Sequence, residues 1–529
     1  MSIYLCYDIR GIQQSIFAVP RLKYIVGGSS LIDEFDRVEM PEIARKSECQ
    51  LVFAGGGRGT LHCPNEHNAN RVSEAIKAGV HGIGLDVRIG KGRDPAQAAS
   101  NFETHARPID NLAGEPCAVS GMFPVEATSG GALGSAIHPV VQMRSRAAKA
   151  DRVGTEMLKM MYEQPDFPGD LKALAEARAE SVRFMRNVNP DFDDSPEEQD
   201  LARRGQASLG SRNRWALIAM DGNNVGMQHQ KARECYKTDP GKHGNWLAEM
   251  SKAIDESTRG ALAYALARAT RDWWVQNAEG SNPSGPVVLP FRPLIAGGDD
   301  VLLLAHCSWA MGIVKDICAR FAELARKKSV NFGGDGLWLA TGGELSISAG
   351  LLYLPVTFPL ASAISYAESL LGSAKGKSRR TPPGKVAPAA VDWDSITEGA
   401  IDTPAGRRSR ELRFVDGDDP GTEVILTCRP WLLSEMRSGL EPVKDKLSKV
   451  PNSVRHELFA GLRQGCWGRT RMLARMKKNH PGLFADLSYT PGAKPGGGWV
   501  LEGRVLRTAY ADAILLLEEE HRMKQRTTE

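Results

Sequence analysis

The sequence predicts an α+β fold with two similar units in tandem, the second of β-α-β-β-α-β order and the first shorter, and three observations predict it. An apolar strand ending in Asp, a helical stretch, a strand, a glycine turn and another strand occur in that order twice along the chain. A stretch of helical character follows each glycine turn. The 529 residues exceed what one hydrophobic core holds, and length alone suggests about three or four domains.

In the first unit Ile3-Tyr4-Leu5-Cys6-Tyr7 is an apolar strand ending at Asp8, followed by Gly11-Ile12-Gln13. Leu51-Val52-Phe53-Ala54 runs into Gly55-Gly56-Gly57, and Thr60-Leu61-His62-Cys63 resumes as a strand. The helix after this turn is expected over Asn68 to Ala78. In the second unit Trp215 to Met220 is an apolar strand ending in Asp221. Pro293 to Ala296 runs into Gly297-Gly298-Asp299-Asp300, and Val301 to Leu304 resumes. Val314, Ile317, Cys318, Phe321, Leu324 and Ala325 then fall at helical spacing, with basic residues opposite. Glu344 to Tyr353 reads as a buried strand. Ala361 to Ala374 reads as a helix with Ile364, Ala367, Leu370 and Leu371 on one side. That order is ferredoxin-like.

Between the units Asp151 to Arg186 is helix-rich, and Asn189 to Gln199 is an acidic loop with proline. Ser373 to Lys385 reads as a basic Gly/Pro/Ser loop near an anion. From about Arg429 the periodicity is helical, over Trp431 to Leu447, Asn452 to Gln464, Thr470 to Lys478 and Gly503 to Met523, with a frayed tail after Gln525. The expected domains are a first unit over 1–110, a helical insert over 111–212, a second unit over 213–397 and a helical C-terminal domain over 398–529.

A net charge of +4 suits an enzyme of anionic nucleotides without requiring a nucleic-acid partner. Nine cysteines include no C-x-x-C pair, so neither zinc nor a disulfide framework is expected, and reduced thiols in cores fit better. The uncharged stretch Leu345 to Ala367 is interrupted by Gly350, Pro355, Pro359 and several serines, which favours a strand and a helix over a membrane span. With no signal-peptide layout at the N-terminus, the expected location is the cytoplasm.

The chemistry gathers at the second glycine turn. Gly297 and Gly298 let backbone approach a ligand closely, because glycine lacks a side chain and tolerates positive φ. Asp299 and Asp300 project at the turn, and Asp221 at the end of the neighbouring strand can face them. Carboxylates converging on one point repel unless a divalent cation lies between them. Mg²⁺ or Mn²⁺ fits, and two ions could activate a hydroxyl and steady a leaving pyrophosphate. Gly417-Asp418-Asp419 has no long apolar strand before it and reads as a solvent turn. Lys375 and Lys377 end a helix, where cations are favoured, and either solvation or phosphate contact suits them. The first unit keeps Asp8 but has Gly57 and Arg58 where the second has Asp299 and Asp300, so it is expected to be degenerate. Arg58 could approach a phosphate or bound nucleotide, although a surface arginine is the commoner case.

Together these motifs resemble the large polymerase/cyclase subunit of type III CRISPR effector complexes, the Cas-ten family. Asp8 to Phe17 and Leu22 to Leu31 resemble the start of that family's first palm, and Asp221-Gly222-Asn223-Asn224-Val225-Gly226 the opening metal-site motif of its second. Phe291 to Leu304 resembles the defining GGDD hairpin, and Leu345 to Gly350 and Ala374-Lys375 the later strand and helix end. The resemblance spans residues 1 to about 395 and continues more weakly through Cys428-Arg429-Pro430. It implies two palm domains of the nucleotidyl cyclase (GGDEF-like) type in pseudo-symmetric tandem. It also implies that ATP is joined into cyclic oligoadenylates when target RNA binds a guide-RNA complex, with other effector subunits docking on the C-terminal domain. By this resemblance Asp221, Asp299 and Asp300 are metal ligands and catalytic residues. Gly297, Gly298, Asn224, Lys375 and Arg58 are the residues expected to contact nucleotide. Three departures stand out. The chain has no His-Asp dipeptide, so DNA cleavage by a histidine-aspartate nuclease domain is not expected. The family's zinc-binding cysteine pairs are absent. Asn223 stands where Asp is common, which is expected to change metal affinity while activity survives.

Two other readings remain at this point: a stand-alone signalling cyclase of another anti-phage system, and a non-catalytic RNA-binding scaffold. The scaffold draws on the basic helix with Arg469, Arg471, Arg475, Lys477 and Lys478, although such stretches are usually solvated. A diguanylate cyclase fits poorly, since Val301 follows Asp300 where that family has Glu-Phe.

Overall fold

The computed structural model describes residues 2–17, 22–107, 115–116, 124–125, 139–178, 181–184, 214–277, 287–328, 336–341, 344–355, 358–380, 386–396, 402–484 and 499–521. The N-terminal apolar run forms strand β1 (Ile3–Arg10), buried from Tyr4 to Ile9. It continues past Asp8 because Asp8 sits in both ladders, opposite Arg58 on one side and Arg88 on the other. Helix α1 (Leu22–Glu34) and a π-helical turn, Phe35–Glu39, lead toward the hairpin of β2 (Gln50–Gly55) and β3 (Arg58–Cys63). Gly56 and Gly57 take φ of 63° and 75° at its tip, a pair of values open to glycine at little cost. Helix α2 (Glu66–Gly82) outruns the expected 68–78 at both ends. Its start is set by Asn65, whose side chain accepts from the Asn68 N–H at 3.0 Å. Strands β4 (Asp86–Gly92) and β5 (Glu103–His105) complete an antiparallel sheet of order β2-β3-β1-β4-β5.

After helix α3 (Arg152–Tyr162) the second unit opens with β6 (Arg214–Gly222), then α4 (Val225–Cys235) and α5 (Pro240–Asn277). The 38-residue α5 is about 57 Å long at 1.5 Å per residue. The hairpin of β7 (Phe291–Gly297) and β8 (Asp300–His306) follows, then α6 (Cys307–Lys328), β9 (Ile347–Pro355), α7 (Leu360–Ser378) and β10 (Ala390–Ser395). With β11 (Arg413–Val415), β12 (Glu423–Ile425) and β13 (Trp431–Leu432) placed next in the chain, this sheet runs β7-β8-β6-β9-β10-β13. Four strands therefore repeat one order in both sheets: outer hairpin strand, inner hairpin strand, Asp-bearing strand, and the strand after the helix.

The sheets share a core through the two faces of β6. Trp215, Leu217 and Ala219 pack with Leu5, Tyr7, Ile25 and Leu61 of the first unit. Ala216, Ile218 and Met220, on the opposite face by the period of two, pack with α5 and α6. A strand buried on both faces reads as an unbroken apolar run rather than an alternating one, as it does here. The uncharged stretch after Leu345 is the strand β9 and the helix α7, and no described helix is long and apolar enough to cross a membrane.

Three expectations are corrected. Helix α7 extends to Ser378, so Ser373 to Ser378 is helical rather than loop, while 381–385, the acidic 189–199 and the tail after Gln525 lie outside the described residues. The C-terminal part is not purely helical. Besides α8 (Asn452–Leu462) and α9 (Cys466–Asn479), β14 (Trp499–Glu502) and β15 (Val505–Thr508) form a hairpin before α10 (Tyr510–His521). The resulting sheet, β11-β12-β15-β14, has strands of three or four residues, too short for alternation to show in sequence. Gly503, at φ 62° in the two-residue turn, is what ends β14. Lastly, Arg469 is no solvated cation. It is buried against the buried Asp416, and Asp416 and Asp418 also accept from the N–H groups of Cys466 (3.0 Å) and Trp467 (2.8 Å), so the exposed Gly417–Asp419 turn caps α9.

Candidate active site

Asp221 lies one residue from the end of β6, opposite Ser348 of β9, while Met220 is opposite Val301 of β8. The end of β6 thus stands beside the β7–β8 turn. Gly297 and Asp300 pair across that turn, with Gly298 (φ 59°) and Asp299 at its tip. Ligand oxygens of Asp221, Asp299 and Asp300 come within 4.8 Å of one another. The approach needs Gly222, where a Cβ would stand 2.9 Å from Asp299 Cβ and 2.9 Å from Val225 Cγ2.

Crowding sets the electrostatics. Burial, then the charges of Asp300 and Asp221, hold the Asp299 carboxyl well above the usual range. Burial and Asp221 push Asp300 up to about 6, against the opposing pull of Lys375 and Arg58. Asp300 stays open to solvent on one side, so close packing around it, not complete sealing, removes its water. Lys375, in the last turn of α7, ion-pairs with Asp221 and is the cation that touches the cluster among the described residues. Three carboxylates against one ammonium leave a surplus that protons or a divalent cation must answer. The donor set, all carboxylate oxygen, fits a hard cation. Because protons and metal compete for Asp299 and Asp300, Mn²⁺ affinity should fall at least about tenfold between pH 7.5 and 5.5. Titration followed by Mn²⁺ electron paramagnetic resonance reads this directly. A flat profile would mean that these carboxyls are ordinary acids.

The other expected residues are placed as follows. A cavity of about 1650 Å³ is lined by Asp8, Arg58, Asp221, Asn224, Gly298, Asp299 and Lys375, so it draws on both sheets. Arg58 donates from Nε to Asp8 at 2.8 Å and leaves its side chain 73% exposed in that space. Asn224 adopts φ 62° at the start of α4. Gly297 packs beside Arg259 and Asp255 rather than lining the cavity. Asn223 also has a structural role. Its buried Nδ2 donates to Ser346 Oγ (2.8 Å) and Ser348 Oγ (2.9 Å), so its amide ties β6 to β9.

Residues 214–381 match the model of the family described as Cas10/Cmr2, second palm domain. Over that segment the chain is Cas10-like. No curated protein matches it. Among solved structures it is similar to the Csm1-Csm4 cassette in complex with cA4, at 14% identity and a TM-score of 0.43, covering 98% of this chain and 70% of the other. The cassette in complex with one ATP gives 14%, 0.45, 98% and 70%. The Csm1-Csm4 subcomplex in the type III-A CRISPR-Csm interference complex gives 14%, 0.44, 99% and 70%.

This Cas10-like segment carries all three clustered carboxylates, and the first sheet offers a contrast at the matching place. Asp8 is held by both Arg58 and Arg88. Gly57, at the position of Asp299, is hemmed in: a Cβ there would meet Ile12 Cδ1 at 2.3 Å. Sequence reasoning named Gly222 only as part of a motif, without its steric role, and missed Asp255, whose Oδ1 accepts from the Gly298 N–H at 3.1 Å. An Asp in the middle of a long helix, four residues before an Arg, looks like any surface ion pair.

Proposed function

We propose that this chain is a metal-dependent nucleotidyltransferase that joins ATP into oligoadenylates and closes them into rings, as a subunit of a type III CRISPR effector in antiviral defence. One observation carries the reading: three carboxylates meet within 4.8 Å beside a cavity lined from both sheets, inside a segment matching a Cas10/Cmr2 palm. At about 1650 Å³ the cavity exceeds the roughly 300–1,000 Å³ of a single-ligand pocket, leaving room for a second nucleotide.

Asp221, Asp299 and Asp300 would hold Mg²⁺ or Mn²⁺, two ions on this reading. When bound, the ions supply charge neutralisation for triphosphate oxygens and acidify an attacking hydroxyl. The chain's own residues do the positioning. Gly298 leaves the turn tip bare for close approach, and Gly297 lets it pack against α5. Lys375 exchanges Asp221 for phosphate. Arg58 meets phosphate from the opposite side, and Asn224 orients nucleotide at the start of α4. The repeated strand order supports two palms in pseudo-symmetric tandem, the first over 1–110 and degenerate, the second over 213–397. Residues 111–212 join them, and 398–529 meet the other effector subunits. Guide RNA and target RNA are the expected partners and trigger, in the cytoplasm.

Incubating the protein, within its complex where required, with all four nucleoside triphosphates and Mg²⁺ or Mn²⁺ tests this. Mass spectrometry should find linear and cyclic oligoadenylates. Absence of any pyrophosphate-releasing transfer under both metals, with target RNA present, defeats the proposal.

A further inference from the structure

The tip of the GGDD turn has little to hold it. Gly298 has no side chain, and a Cβ placed there would meet nothing within 4 Å. A bare glycine turn is soft, yet Asp299 follows directly and must be placed to within a fraction of an ångström for metal geometry. The restraint comes from α5. Oδ1 of Asp255 accepts from the Gly298 N–H at 3.1 Å and from Arg259 Nε at 3.2 Å. Its other oxygen, Oδ2, accepts from Arg37 at 2.7 Å.

Arg37 belongs to the first unit, in the π-helical turn after α1, so the carboxylate that grips the second palm's turn is aimed from across the interface. It is part of a balanced cluster of three carboxylates and three guanidiniums: Asp33, Arg37, Arg152, Glu156, Asp255 and Arg259. Arg259, 6% exposed, reaches Asp33 at 2.7 Å and Glu156 at 3.0 Å. Arg152 reaches Asp33 at 3.0 Å, and Arg37 reaches it at 2.9 Å. The first hairpin is held differently. There the Gly57 N–H donates to Asp36 at 2.7 Å, and Asp36 also accepts from the Tyr7 hydroxyl at 2.8 Å, all within one unit.

We infer that Asp255 is a positioning residue for the carboxylate cluster and that its grip depends on the seating of the first unit against the second palm, transmitted through Arg37. Moving the first unit withdraws Arg37, frees one oxygen of Asp255 and loosens the Gly298 turn. This rests on the catalytic reading above only for its consequence in turnover; the mechanical part stands on the hydrogen bonds themselves.

The test uses the full chain with Asp255→Ala, Asp255→Asn and Arg37→Ala. Each leaves Arg259 its other two carboxylates, so the fold should hold, and circular dichroism melting checks it. In metal-free protein, hydrogen exchange in the peptide covering 291–304 should speed up at least about tenfold in Asp255→Ala and several-fold in Arg37→Ala, with α6 unchanged. Mn²⁺ affinity should weaken about tenfold in Asp255→Ala, and kcat should fall with KM for ATP within about threefold. Asp255→Asn, which keeps an acceptor oxygen, should fall between wild type and Asp255→Ala. Exchange and Mn²⁺ affinity within twofold of wild type in folded Asp255→Ala and Arg37→Ala would overturn the inference. If Asp255→Ala will not fold, the same limits apply to Asp255→Asn. Should wild type show no nucleotidyl transfer, the functional reading fails, while exchange and Mn²⁺ binding still decide the role of Asp255.

Discussion

Replacing Asp299 and Asp300 together by Ala should lower oligoadenylate formation at least about 10³-fold while raising the melting temperature of the metal-free protein. The first half follows from charge neutralisation, the larger part of what a phosphoryl-transfer site supplies. Two of the three clustered carboxylates would be gone, leaving Asp221 paired to Lys375. The second half follows from the direction of the shifts. Both carboxyls titrate above their usual range, so the folded, metal-free state binds protons more tightly than the unfolded chain does. Their contribution to stability is therefore full below pH 4 and is lost as pH rises, for Asp300 through about 6. At pH 7.5 removing them relieves on the order of 1 kcal/mol, after discounting for the solvent exposure of Asp300, or about 1 °C. Product analysis and calorimetry on one preparation check both halves. Lost activity with a lowered melting point would mean that the pair is structural cement, and unchanged turnover would remove it from the chemistry.

Much of this site was legible in the sequence because its parts are strand ends. A run such as Trp215 to Met220 buries both faces, so its end at Asp221 and the turn at Gly297–Gly298 are marked by the change from apolar to polar residues. The convergence of the acids follows once β6 and β8 are neighbours, which the repeated order implies. What was not legible depends on distance across the fold. Asn223 reads only as an effect on metal affinity, since sequence cannot show that Ser346 and Ser348 lie ready to receive its amide. Arg469 looked solvated, since Asp416 lies 53 residues earlier. The C-terminal sheet escaped notice because short strands carry no period, and Gly503 to Met523 contains both a strand and a helix. Arg37 and Asp255, 218 positions apart, form a bridge that no local pattern records.

Gly222 is where the sharpest loss from the smallest change is expected. Adding one methyl group, Gly222→Ala, puts a carbon 2.9 Å from Asp299 Cβ on one side and 2.9 Å from Val225 Cγ2 on the other. Val225 gives way less easily than the turn. Val225 opens α4 and is β-branched, so its side chain has few rotamers to escape into. Asp299 Cβ is one bond from a backbone whose turn is pinned at Gly298. The yielding part is the turn itself, which would shift away from Asp221 by a few tenths of an ångström to about 1 Å. Displacement on that scale in a pre-organised site costs about 10²-fold in rate. Mn²⁺ affinity should weaken in step, and kcat should fall by more than KM for ATP rises, because the nucleotide contact assigned to Arg58 comes from the first unit, on the other side of the cavity. The fold should survive, since β6 keeps its pairing through Gly222 to Ile347 of β9. Full activity in Gly222→Ala would show that the turn relaxes freely, and would count equally against a geometry-limited site and against Asp255 as its restraint.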